Sequence, residues 1–115
     1  MKDPLLPLRH ILDSIDRIET YAAPGRAAFD ADRMRQDAIV RNLEIIGEAV
    51  ARVPDEIRAM APDFSWREPV GMRNWLIHGY DVVDPEIVWS TITDDLPKLR
   101  LVVGRLLEPG THPAG

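Results

Sequence analysis

The chain contains no cysteine, which removes disulfides, thiolate nucleophiles and cysteine-ligated zinc from the chemistry open to it. Its three histidines, His10, His78 and His112, are widely scattered and form no His-x3-His pair. A metal is therefore not expected, and no cofactor is assigned. No uncharged stretch exceeds seven residues, far short of the roughly 18 that cross a bilayer. The amino-terminal Met-Lys-Asp-Pro also lacks the apolar run of a signal peptide. The expectation is a cytoplasmic protein without a membrane partner. Lysine is scarce, with 2 Lys against 12 Arg, and acidic side chains outnumber basic ones 19 to 14 for a net charge of −5. Such a surface repels nucleic acid in bulk, so any contact with a polyanion has to come from a local cluster. The arginine excess carries no geometry of its own, and codon bias accounts for it more simply than phosphate recognition does.

What is present is the composition of an ordinary single domain. The 115 residues are 45% hydrophobic and 29% charged, enough apolar surface to fold and too short for two domains. There are no internal repeats, no low-complexity blocks and no convincing alternating strand. Apolar spacing marks four helical segments instead. Leu8, Ile11, Leu12, Ile15 and Ile18 form the stripe of a first helix, with Pro7 in its first turn and an end near Tyr21, before the breaker Ala23-Pro24-Gly25. After a short connector a second helix runs from about Asp32 to Val53, with Ile39, Leu43, Ile46, Val50 and Val53 on one face and Asp37, Arg41, Glu44 and Glu48 opposite. Gly47 inside it points to a close neighbouring helix or backbone.

Pro54-Asp55-Glu56 opens a short helical turn that stops before Pro62, and Trp66 is expected to seal the core. A third main helix runs from about Glu68 to Gly79, a residue suited to a left-handed C-terminal cap. The last helix starts at the N-cap Asp84, followed by Pro85 and Glu86. It carries the stripe Val88, Ile92, Leu96, Leu99, Val103 and Leu106, and Pro97 should bend it. The predicted fold is all-α: an antiparallel four-helix bundle with an extra short helix. The domain spans residues 1–107, and residues 108–115, His112 among them, form a flexible tail.

One segment concentrates polar groups able to handle a phosphodiester: Gly71-Met72-Arg73-Asn74-Trp75-Leu76-Ile77-His78-Gly79-Tyr80. An Arg-x4-His pair arises by chance about 0.3 times in a chain of this composition, and with a tyrosine two residues later about 0.005 times. On a helix Asn74 and His78 are i, i+4 neighbours, whereas Arg73 and His78 lie about 140° apart. Arginine and histidine converge only at the edge of a cleft. Packing this helix end against a second copy is the simplest way to make one, each subunit supplying one arginine and one histidine.

Arg41-Asn42-Leu43-Glu44-Ile45-Ile46-Gly47-Glu48-Ala49, Trp66-Arg67-Glu68, Gly71-Met72-Arg73-Asn74, His78-Gly79-Tyr80, Ile87-Val88-Trp89 and Asp95-Leu96-Pro97 follow one another in the chain. In this order they resemble the HepT-like branch of the HEPN superfamily, also described as DUF86, over nearly the whole length from Leu8 to about Leu107. The resemblance implies a dimerising all-α bundle and a metal-independent endoribonuclease, the toxin of a type VII-like toxin–antitoxin pair. It also implies an antitoxin that is a minimal, MntA-like nucleotidyltransferase. The family's Arg-x4-His-x-Tyr motif falls on Arg73, His78 and Tyr80, with Asn74 as the polar residue after the arginine. Asp81 departs mildly from the pattern and sets a carboxylate near the implied RNA path.

The residue chemistry fits this role. Cleaving RNA without a metal needs a base for the 2′-hydroxyl, an acid for the leaving 5′-oxygen and fixed positive charge beside the phosphorane. His78, with an imidazole that titrates near neutrality, is the candidate acid–base. Arg73 is the candidate phosphate-binding charge, and Asn74 the residue that orients the imidazole. A helix-terminal imidazole bonded to carbonyls and a surface ion pair remain the plain structural readings of His78 and Arg73. Tyr80 has three readings: stacking on a base, accepting AMP from the nucleotidyltransferase as the resemblance implies, or packing on the bundle with its hydroxyl in water. His10 is expected in solvent, Glu44 and Glu48 as partners of Arg41 and Arg52, and Trp75 and Trp89 in the core or a dimer interface. Arg33, Arg35 and Arg41 are candidates to approach the cleft. An alternative function is a non-catalytic subunit that docks a nucleotidyltransferase and presents nucleotide or RNA to it, and a third is a helical adaptor.

Overall fold

A computed structural model of the chain describes residues 3–67 and 84–108. These residues are all-helical, without a strand among them. Helix α1 spans Leu6–Ala22 and buries Leu8, Ile11, Ile15 and Ile18, four members of the predicted stripe, together with Ser14. Leu12 is half-buried against the same core.

The chain then turns through Gly25, whose φ of +100° with extended ψ is a conformation that essentially only glycine adopts. The connector expected here contains a six-residue helix, α2, Arg26–Ala31. It is too short for a periodic stripe, and a single fully buried side chain, Phe29, anchors it. Gln36 caps its C-terminal end, donating from Nε2 to the carbonyls of Phe29 at 2.8 Å and Asp30 at 3.2 Å.

Helix α3, Arg33–Arg52, matches the predicted second helix, bounded by Asp32 and Val53. The Asp32 carboxylate accepts from the amides of Met34 and Arg35 at 3.0 and 3.2 Å, satisfying two donors of the first turn. Ile39, Leu43, Ile46 and Val50 are completely buried, and Gly47 is buried too. Because the end of α1 meets the start of α3, with Arg35 Nη1 donating to the Tyr21 carbonyl at 2.6 Å, α3 runs back antiparallel along α1, its main packing partner.

The short turn predicted after Pro54 is α4, Asp55–Arg58. Arg58 folds back and donates to the carbonyls of Val50 at 2.8 Å and Val53 at 3.1 Å, closing the C-terminal end of α3. Ile57 from this turn joins the core.

The last stretch begins with α5, Pro85–Ser90, capped by Asp84 as predicted, its carboxylate accepting from the Glu86 amide at 2.8 Å. A π-helical turn, Thr91–Asp95, follows, and then α6, Leu96–Leu106. Pro97 lies two residues past the end of this turn. The bend expected from its missing N–H takes the form of a widened turn, in which the Leu96 amide reaches back to the Thr91 carbonyl. Val88, Leu96, Leu99, Val103 and Leu106 are buried, with Ile92 partly so. Helix α6 packs on α1, where Arg100 forms ion pairs with Asp16 and, at 2.6 Å, with Glu19.

Three of the four predicted main helices thus fall on described residues and are present. The third, at 68–79, lies outside them. No helix of the described residues is long and apolar enough to cross a membrane.

Candidate functional site

The sequence candidates Arg73, Asn74, His78 and Tyr80, together with Trp75 and Asp81, lie outside the described residues. The structure does describe the supports on either side of the segment that carries them. On the amino-terminal side, Trp66 donates from Nε1 to the Ala61 carbonyl at 3.3 Å and meets Phe64 edge to face at 4.9 Å. Both rings pack on the core from partly buried positions, so Trp66 seals it as expected. The Arg58 contacts described above tie the preceding turn to α3.

On the carboxy-terminal side the chain re-enters at Asp84 and at once meets α2. Arg26 donates from Nη2 to Glu86 at 2.6 Å and from Nε to both oxygens of Asp30 at 2.9 and 3.1 Å. Its guanidinium stands 6.0 Å from the centre of the Trp89 ring. Trp89 in turn packs at 5.2 Å on the buried ring of Phe29. Glu86, and then Asp30, hold the Arg26 guanidinium even more firmly protonated than an ordinary arginine. Trp89 is accordingly a core-packing residue, one of the two roles expected of it.

Elsewhere on the fold, charged side chains pair locally. Arg41 and Glu44 meet at 3.3 Å, as the spacing predicted. His10 is exposed, also as expected. Of the three arginines considered as approaching the cleft, Arg35 is committed elsewhere: its guanidinium is tied to the Tyr21 carbonyl and lies 3.7 Å from Asp32, at the α1–α3 junction. Arg33 and Arg41 are exposed on the outer surface of α3 and pair with Asp37 at 4.0 Å and with Glu44. Among the described residues no three His, Asp or Glu side chains cluster as a metal site requires.

Sequence reasoning missed the Arg26–Glu86 link, because its partners stand sixty residues apart. It also missed the burial of Asn42, for which a signal existed. Arg35, Asn42 and Ala49 recur every seven residues beside the apolar stripe of α3, and all three are buried or half-buried.

The family model described as "Ribonuclease HepT-like" matches residues 11–106. The chain belongs to the HepT-like family of the HEPN superfamily. The match covers α1 to α6 apart from the first turn of α1, and it includes the segment from Arg73 to Tyr80. Among similar HepT-like proteins, one from Thermococcus cleftensis named "Probable ribonuclease HepT" is 37% identical over 94 residues, covering 81% of this chain and 86% of that protein. One from Caldanaerobacter subterraneus named "Putative RNase" is 39% identical over 109 residues, 94% of this chain and 97% of that one. A Methanocaldococcus jannaschii protein named "Gamma-glutamylcyclotransferase and putative RNase" is 37% identical over 108 residues, and this chain spans 49% of its length. No solved structure is a significant match.

Proposed function

We propose that this HepT-like chain is a metal-independent endoribonuclease that cleaves RNA at a composite site between two copies of itself. The observation that carries the reading is an intact Arg-x4-His-x-Tyr pattern, Arg73, His78 and Tyr80, inside the span matched by a ribonuclease family. The ribonuclease names of its relatives support it. In the mechanism, one His78 imidazole takes the proton of the 2′-hydroxyl, and the freed oxygen attacks the adjacent phosphorus. The bond from phosphorus to the 5′-oxygen breaks, and the partner subunit's His78 returns a proton to that oxygen. The products are a 2′,3′-cyclic phosphate and a 5′-hydroxyl end. Arg73, charged at every relevant pH, holds the non-bridging oxygens and neutralises the charge that builds up in the transition state. Asn74, one turn before His78, orients the imidazole.

In this reading the four main helices form an antiparallel bundle that dimerises. A minimal nucleotidyltransferase restrains the enzyme by transferring AMP to Tyr80. A bulky anion there repels RNA electrostatically without any change of fold. The test is cleavage of RNA in excess chelator, with the products analysed for cyclic phosphate ends. His78→Ala and Arg73→Ala, each checked for an unchanged oligomeric state, should lose on the order of 10² to 10⁴ in rate. Undiminished cleavage by His78→Ala refutes the assignment. Incubation with the partner enzyme and ATP should add AMP to the wild-type chain and not to Tyr80→Phe, and addition at another residue overturns that part.

A second reading, favoured by the net charge of −5, is a non-catalytic subunit that docks the nucleotidyltransferase and presents nucleotide or RNA to it. RNA binding without cleavage, by a chain that still associates with the partner, selects this reading.

A further inference from the structure

The first turn of α5 puts nothing into the core. Asp84, Pro85, Glu86 and Ile87 are all exposed, and Val88 is the first side chain of the helix to be buried. The tie of this turn to the rest of the fold is a charged one. Arg26 of α2 donates from Nη2 to Glu86 at 2.6 Å, across sixty residues of chain. The arginine is itself held from behind: Gly25 precedes it with φ +100°, the fully buried Phe29 anchors α2 one turn later, and Asp30 accepts from its Nε at 2.9 and 3.1 Å. The Trp89 ring lies 6.0 Å from the guanidinium and packs on Phe29 at 5.2 Å. Arg26 therefore meets α5 at two points, a carboxylate and a ring, from a fixed support.

Such a contact contributes little to global stability, because the Glu86 side chain is 76% exposed and that of Arg26 34%, and pairs at the surface are screened by water and salt. Its leverage lies in what is attached to α5. Tyr80 precedes Asp84 by four residues. At no more than about 3.6 Å per residue, its Cα stands within about 14 Å of the Asp84 Cα. His78 lies two residues further back. A first turn of α5 that frays or swings thus displaces the attachment point of the Arg-x4-His-x-Tyr motif. A misplacement of about 1 Å, caused far from the reacting atoms, costs on the order of 10² in rate.

Building on the ribonuclease reading, we infer that Arg26 is a positioning residue for RNA cleavage: through Glu86 and Trp89 it fixes the start of α5, and with it the attachment point of the segment that carries His78 and Tyr80. Arg26 does not hold RNA in this role. Its Nε and Nη2 are engaged by Asp30 and Glu86. Two carboxylates against one guanidinium also leave the cluster negatively charged, which repels a phosphate backbone.

Steady-state cleavage of RNA by the 115-residue chain provides the test. Arg26→Met, which keeps the bulk and loses the guanidinium, should lower kcat by on the order of 10 to 10², with KM changed by less than about twofold. Glu86→Gln, a mild change at an exposed carboxylate, should act in the same direction, and the double variant should be no worse than Arg26→Met. Arg100→Gln, which breaks ion pairs between α6 and α1, should leave kcat unchanged. A lower Tm with kcat unchanged makes the contact purely structural and overturns the assignment. A higher KM at constant kcat overturns it too, since Arg26 would then touch RNA. A readout without turnover separates this role from the ribonuclease reading. The NMR signals of the His78 imidazole and the Tyr80 ring should shift in Arg26→Met and Glu86→Gln and stay in place in Arg100→Gln. Signals that stay in place in the first two variants overturn the positioning role whether or not the chain cleaves RNA. Shifted signals in a chain that cleaves no RNA refute the ribonuclease reading and establish the tie between Arg26 and the motif.

Discussion

Replacing Arg58 by methionine keeps most of the side-chain volume and removes the guanidinium that closes α3. Two charged hydrogen bonds are lost, to the carbonyls of Val50 and Val53 at 2.8 and 3.1 Å. The Val50 carbonyl retains a partner, since the Val53 amide donates to it at 3.2 Å. The Val53 carbonyl and the favourable placement of a cation at a helix C-terminus account for most of the loss. Hydrogen bonds to charged groups contribute about 1.5–3 kcal/mol and a cation at a helix end typically 0.3–1 kcal/mol, and the half-buried setting leaves part of the exposed carbonyl to water. The expected cost is about 2 kcal/mol, or a fall in Tm of about 8 °C for a domain of this size. Urea unfolding should show a lower midpoint at an unchanged m-value. Arg58→Lys, which has one donor group to serve two carbonyls, should lose about half as much. Because the acceptors are neutral, the loss should persist in high salt. A cost below about 0.5 kcal/mol for Arg58→Met refutes the capping argument.

Other perturbations follow from the same structure. Gly25→Ala meets no atom within 4 Å of the added Cβ, so its cost comes only from the positive φ, about 1–3 kcal/mol by denaturant unfolding. A neutral or stabilising result contradicts the backbone conformation. Asp3, whose carboxyl accepts from the Leu5 amide and pairs with Arg9, is held below its ordinary value of 3.8, first by the amide and then by the arginine. Its contribution to the start of α1 is complete above that value and is lost as the pH falls through the lower, folded one. An NMR titration should place the Asp3 midpoint below 3.8, and a midpoint at or above it counts against the contact. Arg100→Gln removes exposed ion pairs to Asp16 and Glu19 and should cost at most about 1 kcal/mol, with the difference from wild type shrinking as salt is added.

Helix existence was legible in the sequence wherever a stripe ran for three turns or more, as in α1, α3 and the Val88–Leu106 stretch. The capping aspartate Asp84 even located one boundary to the residue. Helix α2 was not legible, because one buried phenylalanine in six residues has no period to detect. The lettering of the candidate site, Arg73 to Tyr80, was plain from its motif. Its supports were not, because Arg26 with Glu86 and Arg58 with the end of α3 are contacts between elements, and local spacing contains no trace of them.

The π-helical turn at Thr91–Asp95 acts as a phase corrector. Val88, Ile92 and Leu96 follow one another at intervals of four, and on a regular α-helix the last would have swung about 80° away from the first. A locally wider turn cancels this drift. The Val88 end can then face α2 while the Leu96 end faces α1, along one uninterrupted rod. In the alphabet of the chain the turn is one surplus residue. Removing a single residue from within Thr91–Asp95 should therefore let the rod close up as ordinary helix, with its two ends turned by only about 20° relative to each other. The Arg26–Glu86 and Arg100–Glu19 tethers at its two ends should then both survive.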